Sequence, residues 1–244
     1  MKKIRLEDFE AIAFDIEGTL ADTIPTHHAA RLEAFQNHGY GHITREQHEL
    51  GPTYGSSTAD IIGGILRATG EIQQDGPFKH HPAVQEVIAS KMQLFEKSAA
   101  KGFDEMPDAT HFVRLISAIF MGRMALVTSS PERFVLPFLD RYDIAKYFPK
   151  DYIISEDTII AQGLEGKPAP DPYQLAMGRL GTSNLLVFED TVSGVASAKA
   201  AGATVIALGF EPNNTKLFKS SDLPYPPDAL VSNYTEARKL LNLM

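Results

Sequence analysis

The chain alternates short, almost wholly apolar runs with longer stretches in which apolar residues return every third or fourth position. Runs of the first kind, rich in Ile, Val, Leu and Ala, predict buried strands at residues 11–15, 124–128, 152–155, 185–189 and 204–208. Between them, residues 131–142, 172–180 and 193–201 carry helical spacing or a high alanine content. Gly181 and Gly202 stand where two of these helices should stop, because glycine accepts the left-handed conformation that commonly ends a helix. Strands alternating with helices predict an α/β fold, here a Rossmann-like parallel sheet with helices on its faces.

The interval between the first two strands breaks this rhythm. It runs from residue 16 to residue 123, far longer than a crossover connection needs. Within it, residues 26–37, 58–69 and 82–99 are amphipathic with helical spacing, and no convincing strand pattern lies between 25 and 100. The expected architecture is therefore an α/β core of residues 1–22 and 104–244 with an inserted α-helical cap domain at residues 23–103. Pro and Gly interrupt the periodicity at 21–25 and 101–107, which marks these stretches as hinges.

Composition narrows the function. With 244 residues, 43% of them hydrophobic, the chain can bury one substantial core and a smaller second one. A formal net charge of -8 and the lack of any basic block argue against a nucleic-acid partner, since phosphate backbones are held by clustered Lys and Arg. No stretch approaches the roughly 20 apolar residues of a membrane-spanning helix, so no membrane partner is expected. Acidic residues Glu7, Asp8 and Glu10 interrupt the start where a secretion signal would be apolar. Without cysteines there is no disulfide, thiolate metal site or cysteine nucleophile, which suits a cytoplasmic protein. The sequons at Asn213 and Asn233 then read as chance matches.

Ligands of open α/β sheets bind beyond the carboxyl ends of the strands, so the residues just past each strand carry the chemistry. The first strand runs into DIEGTLAD at 15–22, the second into Thr128, Ser129 and Ser130, and the fourth into Glu189 and Asp190; Lys167 follows the third, in GKPAPDPY. Taken singly, an Asp at a strand end is more often a turn or helix cap, and a lone Lys more often a solvated surface group. Together they supply the parts of phosphoryl transfer. A carboxylate such as Asp15 can attack a dianionic phosphate only if the repulsion is neutralised by a metal and fixed donors. Asp15 and Asp190 offer the hard oxygens magnesium prefers, and Lys167 adds a fixed positive charge. Thr128, Ser129 and the backbone beside them are candidate holders of the phosphoryl oxygens, with Gly18 allowing a sharp turn after Asp15 and Thr19 tying that turn down.

Other features carry less. Adjacent residues of a helix point in different directions, so His27-His28 and His80-His81 do not form metal pairs, although His27 or His28 opens the first inserted helix. GGILRATG at 63–70 lacks the glycine spacing and strand context of a dinucleotide site.

The order Asp-x-acid-Gly-Thr, strand-Thr, Lys-Pro and Glu-Asp resembles the haloacid dehalogenase superfamily, in the helical-cap branch that holds phosphoglycolate phosphatases, sugar phosphatases and beta-phosphoglucomutase. The resemblance covers essentially the whole chain, and FEDTVSGVASAKAAG at 188–202 is its most specific stretch. It implies an aspartyl phosphate on Asp15 and a Mg2+ ion held by Asp15, the Glu17 carbonyl oxygen and Asp190, with Glu189 a further ligand or an orienting group. It also implies closure of the cap to exclude water and select substrate. The chain departs from the family at Glu17, where most of these phosphatases and mutases carry a second Asp as general acid and base. The metal ligand there is a backbone oxygen and survives the change; proton transfer must work through one extra methylene. Enolase-phosphatases also read DIEGT.

The expected function is a magnesium-dependent phosphatase acting on a small phosphorylated metabolite of the sugar or organic acid phosphate class. Alternatives are a phosphosugar mutase and a non-catalytic phosphate- or metal-binding regulator. Thr58, after Gly55, Ser56 and Ser57, stands where the mutases of this branch carry an arginine for a second phosphate, and this weighs against a mutase. Glu17 weighs against a phosphonatase or a haloacid dehalogenase, which resemble one another in lacking this acid.

Overall fold

The computed structural model describes residues 4–44, 47, 58–73, 77–100, 102–210, 212–220 and 223–243. In chain order the elements are β1 (Ala11–Phe14), β2 (Ala21–Asp22), α1 (Ile24–Asn37), α2 (Thr58–Ala68), α3 (Pro82–Ala99), β3 (Asp104–Glu105) and α4 (Ala109–Phe120). There follow β4 (Met124–Val127), α5 (Glu132–Arg141), β5 (Ile153–Ile154), α6 (Glu156–Ala161), α7 (Asp171–Leu180) and β6 (Leu185–Glu189). The chain closes with α8 (Val192–Ala200), β7 (Thr204–Leu208), α9 (Pro212–Phe218), β8 (Ala229–Val231) and α10 (Tyr234–Leu240). It divides into two compact units, Met1–Asp22 with Phe103–Met244, and Thr23–Gly102.

The larger unit is built on a six-stranded parallel sheet of order β5-β4-β1-β6-β7-β8. The chain starts in the middle, winds outward through β4 and β5, then crosses back to build β6, β7 and β8 on the other side of β1. That reversal leaves a crevice beyond the carboxyl ends of the central strands. β1 (AIAF) and β6 (LLVFE) are buried over their whole length, which is why they read as continuous apolar runs.

Side-chain alternation decides what each face packs. Ala11, Ala13, Ala125, Val127, Val187 and Val205 join a cluster with Tyr173 and Ala176 of α7 and Val195 and Ala198 of α8. Alanines on the central strands let these helices lie close to the sheet. The opposite face is aromatic. Phe14 stacks on its register partner Phe188 at 5.3 Å and meets Phe112 of α4 edge-on at 6.2 Å. Phe112 in turn lies 4.8 Å from the Tyr234 ring of α10.

Several sequence expectations are sharpened here. β1 ends at Phe14 and β4 at Val127, so Asp15 and Thr128 sit just past their strands rather than in them. Six strands stand in the sheet where the apolar pattern predicted five; β8 is only three residues long and follows a proline-rich stretch, too short for a periodic signal. Part of the expected hinge sequence is paired: Ala21–Asp22 and Asp104–Glu105 form a two-stranded antiparallel ribbon.

The smaller unit is helical. α1 and α3 each begin with a proline in the first turn, where its missing N–H costs nothing. Phe35, Ile62, Ile65, Leu66, Phe78, Val84 and Val87 form its core. GGILRATG belongs to α2 and the turn after it, and His27 lies in α1, its ring stacked on Phe95 at 4.1 Å and its Nδ1 2.9 Å from Lys91 Nζ. Gly55, Ser56 and Ser57 lie outside the described residues, and Thr58 opens α2. Among the described residues, no helix is long and apolar enough to cross a membrane.

The aromatic face generates a stability prediction. Phe112 contacts Phe14, Phe188 and Tyr234, so Phe112→Ala should destabilise the protein by about 3–5 kcal/mol through lost burial and an unfilled cavity. Urea unfolding measures this; a loss below about 1 kcal/mol would contradict the packing described.

Candidate active site

Three adjacent strands deliver the candidate side chains. Asp15 follows β1, Thr128 follows β4, and Glu189 ends β6 with Asp190 next to it. Their backbones continue the ladder: Asp15 N donates to Phe188 O at 3.0 Å, and Thr128 N donates to Ile154 O at 2.9 Å. Alternation then points Phe14 and Phe188 into the aromatic layer while Asp15 stands at the crevice.

Lys167 reaches this point from the loop before α7. Its ammonium donates to Asp15 Oδ1 at 2.7 Å, to the Val127 carbonyl at 2.8 Å and to Glu189 Oε1 at 2.5 Å. The ion pairs are nearly dry, with 6% of the Lys167 side chain and none of Glu189 exposed. Glu189 is held on all sides: Oε1 also accepts from the Tyr173 hydroxyl at 2.9 Å, and Oε2 accepts from the backbone N–H groups of Asp190 and Thr191 and from Thr191 Oγ1. α8 approaches so closely that a Cβ on Gly194 would collide with the Glu189 carboxylate.

The turn after Asp15 is equally tight. Ile16 O accepts from Leu20 N and Ala21 N at 2.8 Å each, and Gly18 takes φ 77°, a conformation glycine adopts without strain. A Cβ at Gly18 would collide with Asp190 Oδ2, and Thr19 Oγ1 donates to Asp190 Oδ1 at 3.4 Å. Glu17 is half-buried and accepts from Ser130 Oγ at 2.5 Å, while Ser130 N donates to Thr128 Oγ1 at 3.1 Å. Ser129 is exposed; with Thr128, Lys167, Glu156, Ile159, Gly166 and Pro172 it lines a cavity of about 110 Å³.

All nine candidates from the sequence, Asp15, Glu17, Gly18, Thr19, Thr128, Ser129, Lys167, Glu189 and Asp190, thus gather at one end of the sheet. Three participants went unassigned in the sequence. Ser130 orients Glu17, Thr191 helps to hold Glu189, and Tyr173 secures Glu189 from behind. The tyrosine at the end of GKPAPDPY was a usable signal, since it lies in the first turn of the helix that the Lys167 loop enters; the Ser130–Glu17 contact spans loops distant in sequence and had none.

Three buried carboxylates face one ammonium. Burial pushes Asp15 up to about 8 even with Lys167 beside it, and burial together with Asp15 and Glu189 pushes Asp190 well above its ordinary range. Burial would lower Lys167, but Asp15 and Glu189 more than offset it and hold the ammonium firmly charged. Tyr173, raised by burial and by Glu189, stays a hydroxyl donor. Among the described residues, the three carboxylates outnumber the Lys167 ammonium they face. Asp15, Glu189 and Asp190 each bring a carboxylate oxygen within 4.8 Å of the others, an all-oxygen set that fits a hard divalent cation such as magnesium.

A model of the haloacid dehalogenase-like hydrolase family matches residues 9–202. The phosphoglycolate phosphatase of Vibrio parahaemolyticus is 28% identical over 231 residues, covering 92% of this chain and 94% of its own. The phosphorylated carbohydrates phosphatase of Thermotoga maritima is 29% identical over 195 residues, 79% of this chain and 82% of its own. Among solved structures, a family IA, variant 3 HAD hydrolase from Entamoeba histolytica aligns with TM-score 0.69 at 25% identity, over 96% of this chain and 98% of that one.

Gly18 offers a test of the geometry without touching a charged group. Gly18→Ala forces a side chain onto Asp190 at a positive φ, and should destabilise the protein by about 1–3 kcal/mol. Urea unfolding reads this directly; wild-type stability in the variant would contradict the close approach of Gly18 and Asp190.

Proposed function

The chain belongs to the haloacid dehalogenase-like hydrolase family and is an enzyme, a hydrolase of phosphoric monoesters; from that premise we propose that it hydrolyses a small phosphorylated sugar or organic acid through a phosphoaspartyl intermediate on Asp15. The observation that carries this reading is the bond from the Lys167 ammonium to both Asp15 and Glu189, beside Asp190, at the carboxyl ends of adjacent strands. The names of the two phosphatase relatives supply the substrate class.

In this reading an oxygen of Asp15 attacks phosphorus while the bond to the leaving oxygen breaks. Glu17, held by Ser130, gives that oxygen its proton. The resulting Glu17 carboxylate then takes a proton from water, whose oxygen attacks the same phosphorus, and the bond to Asp15 breaks to release inorganic phosphate. Lys167, fixed on Asp15 and the Val127 carbonyl, stabilises charge on the transferring group, and Thr128 with Ser129 and the backbone of their loop holds its oxygens. Asp15, Asp190 and the Glu17 carbonyl oxygen would hold magnesium, which when bound neutralises the phosphate dianion facing the nucleophile. Glu189, already accepting from five donors, works mainly by holding Lys167. A chain without cysteines suits the reducing cytoplasm, and we place the activity there.

Asp15→Asn should remove turnover even at saturating substrate, because an amide is a poor nucleophile and one anionic metal ligand is lost. Phosphate release from p-nitrophenyl phosphate with magnesium measures it, and a rate above about a tenth of wild type would sink the mechanism. Glu17→Gln should lose roughly 10²- to 10⁴-fold on an alkyl phosphate. In the phosphorylation step it should lose less on p-nitrophenyl phosphate, whose leaving group needs no proton. Equal losses on both substrates, measured before dephosphorylation, would remove Glu17 from the proton-transfer role.

A further inference from the structure

Tyr234 opens α10, beyond residue 202 where the family match ends. It is fully buried, its ring lying 4.8 Å from Phe112, 5.8 Å from Phe210 and 6.4 Å from Phe188. Three aromatic neighbours from α4, the loop after β7 and β6 fix the ring. Its hydroxyl donates to the backbone carbonyl of Thr19 at 2.9 Å, across 215 residues of sequence. Burial first, then Asp190 and Asp15, raise this hydroxyl well above its ordinary range, so it remains a donor.

Thr19 is the middle of the turn that begins at Asp15. Other carbonyls of the turn are tied through the backbone: Ile16 O to Leu20 N and Ala21 N, Leu20 O to Met106 N, and Ala21 O to Gly18 N, each at 2.8 Å. The Thr19 carbonyl is tied by a side chain from the far end of the chain. Thr19 also reaches Asp190 through its hydroxyl, and its neighbour Gly18 is the residue against which Asp190 packs. A shift of this one peptide would therefore move both sides of the acidic cluster.

We propose that Tyr234 is a positioning residue for the phosphoryl-transfer site: its hydroxyl holds the Thr19 carbonyl and so fixes the turn that sets Asp15 and Glu17 against Asp190. The inference rests on the reading of Asp15 as nucleophile for its kinetic consequence, but the tether itself is a matter of the turn's mobility. Packing alone does not require a tyrosine. A phenylalanine would fill the same aromatic site, whereas a buried hydroxyl needs a partner and finds it on the catalytic turn.

Tyr234→Phe keeps the ring and removes only this bond, so the variant should fold. Hydrogen–deuterium exchange of the peptide covering residues 15–22 should be about three- to tenfold faster than in the wild type, the size expected for one lost hydrogen bond. Exchange in the sheet strands should be unchanged. With magnesium and an aryl phosphate, kcat should fall by about three- to tenfold while KM stays within about twofold, the mark of a geometry needed in the transition state rather than for binding. Exchange at 15–22 equal to wild type overturns the proposal, and so does faster exchange spread evenly over the sheet, which is what a purely structural tyrosine would give. If wild type shows no Asp15-dependent turnover, the phosphatase reading falls, and the exchange measurement alone still decides the tether.

Discussion

One ammonium holds this site together. Lys167 bonds Asp15 after β1, the Val127 carbonyl at the end of β4 and Glu189 at the end of β6, so a single side chain joins the carboxyl ends of three neighbouring strands. In a dry setting such a charge is held only where it is paired and hydrogen-bonded, as Lys167 is by these three acceptors. Tyr173, Thr191 and the backbone beyond β6 complete the shell of Glu189, while burial pushes Asp15 and Asp190 above the ordinary carboxylate range. In the proposed mechanism Asp15 and Asp190 would hold a divalent cation, which would neutralise the phosphate dianion that Asp15 attacks.

The fold makes this arrangement rigid by the period of the strand. Phe14 and Phe188 are register partners one residue before Asp15 and Glu189 on their strands, and they stack in the core directly beneath them. Anything that holds those rings holds the acids. Phe112 and Tyr234 extend the layer, and Tyr234 links it by a hydrogen bond to the turn above. Packing on one face of the sheet is in this way coupled to geometry at its edge, because close-packed interiors transmit small displacements rather than absorb them.

Much of this was legible in the sequence, and the reasons are physical. Strands buried on both faces announce themselves as apolar runs, and polar residues just past them mark the crevice end of the sheet, where Asp15, Thr128, Glu189 and Asp190 stand and Lys167 arrives from the loop before α7. The long interval after the first strand revealed the helical insertion because no crossover requires it. What stayed hidden depended on contacts distant in sequence or on elements too short to have a period. β8 has three residues, the β2–β3 ribbon two in each strand, and neither Ser130 on Glu17 nor Tyr234 on Thr19 leaves a mark in local spacing. Glu17 was visible as a departure, but the bond it accepts from Ser130, in the loop after β4, was not.

In the proposed mechanism Asp15 itself carries the phosphoryl group during turnover. Rapid acid quenching of the enzyme with magnesium and substrate, followed by peptide mass spectrometry, tests it most directly, since acyl phosphates survive brief acid treatment. A phosphoryl group on the peptide containing Asp15, lost on mild base treatment and absent from Asp15→Asn, is the predicted result. An Asp15 peptide that stays unmodified while phosphate is released, or a phosphoryl group found on another residue, would contradict the account.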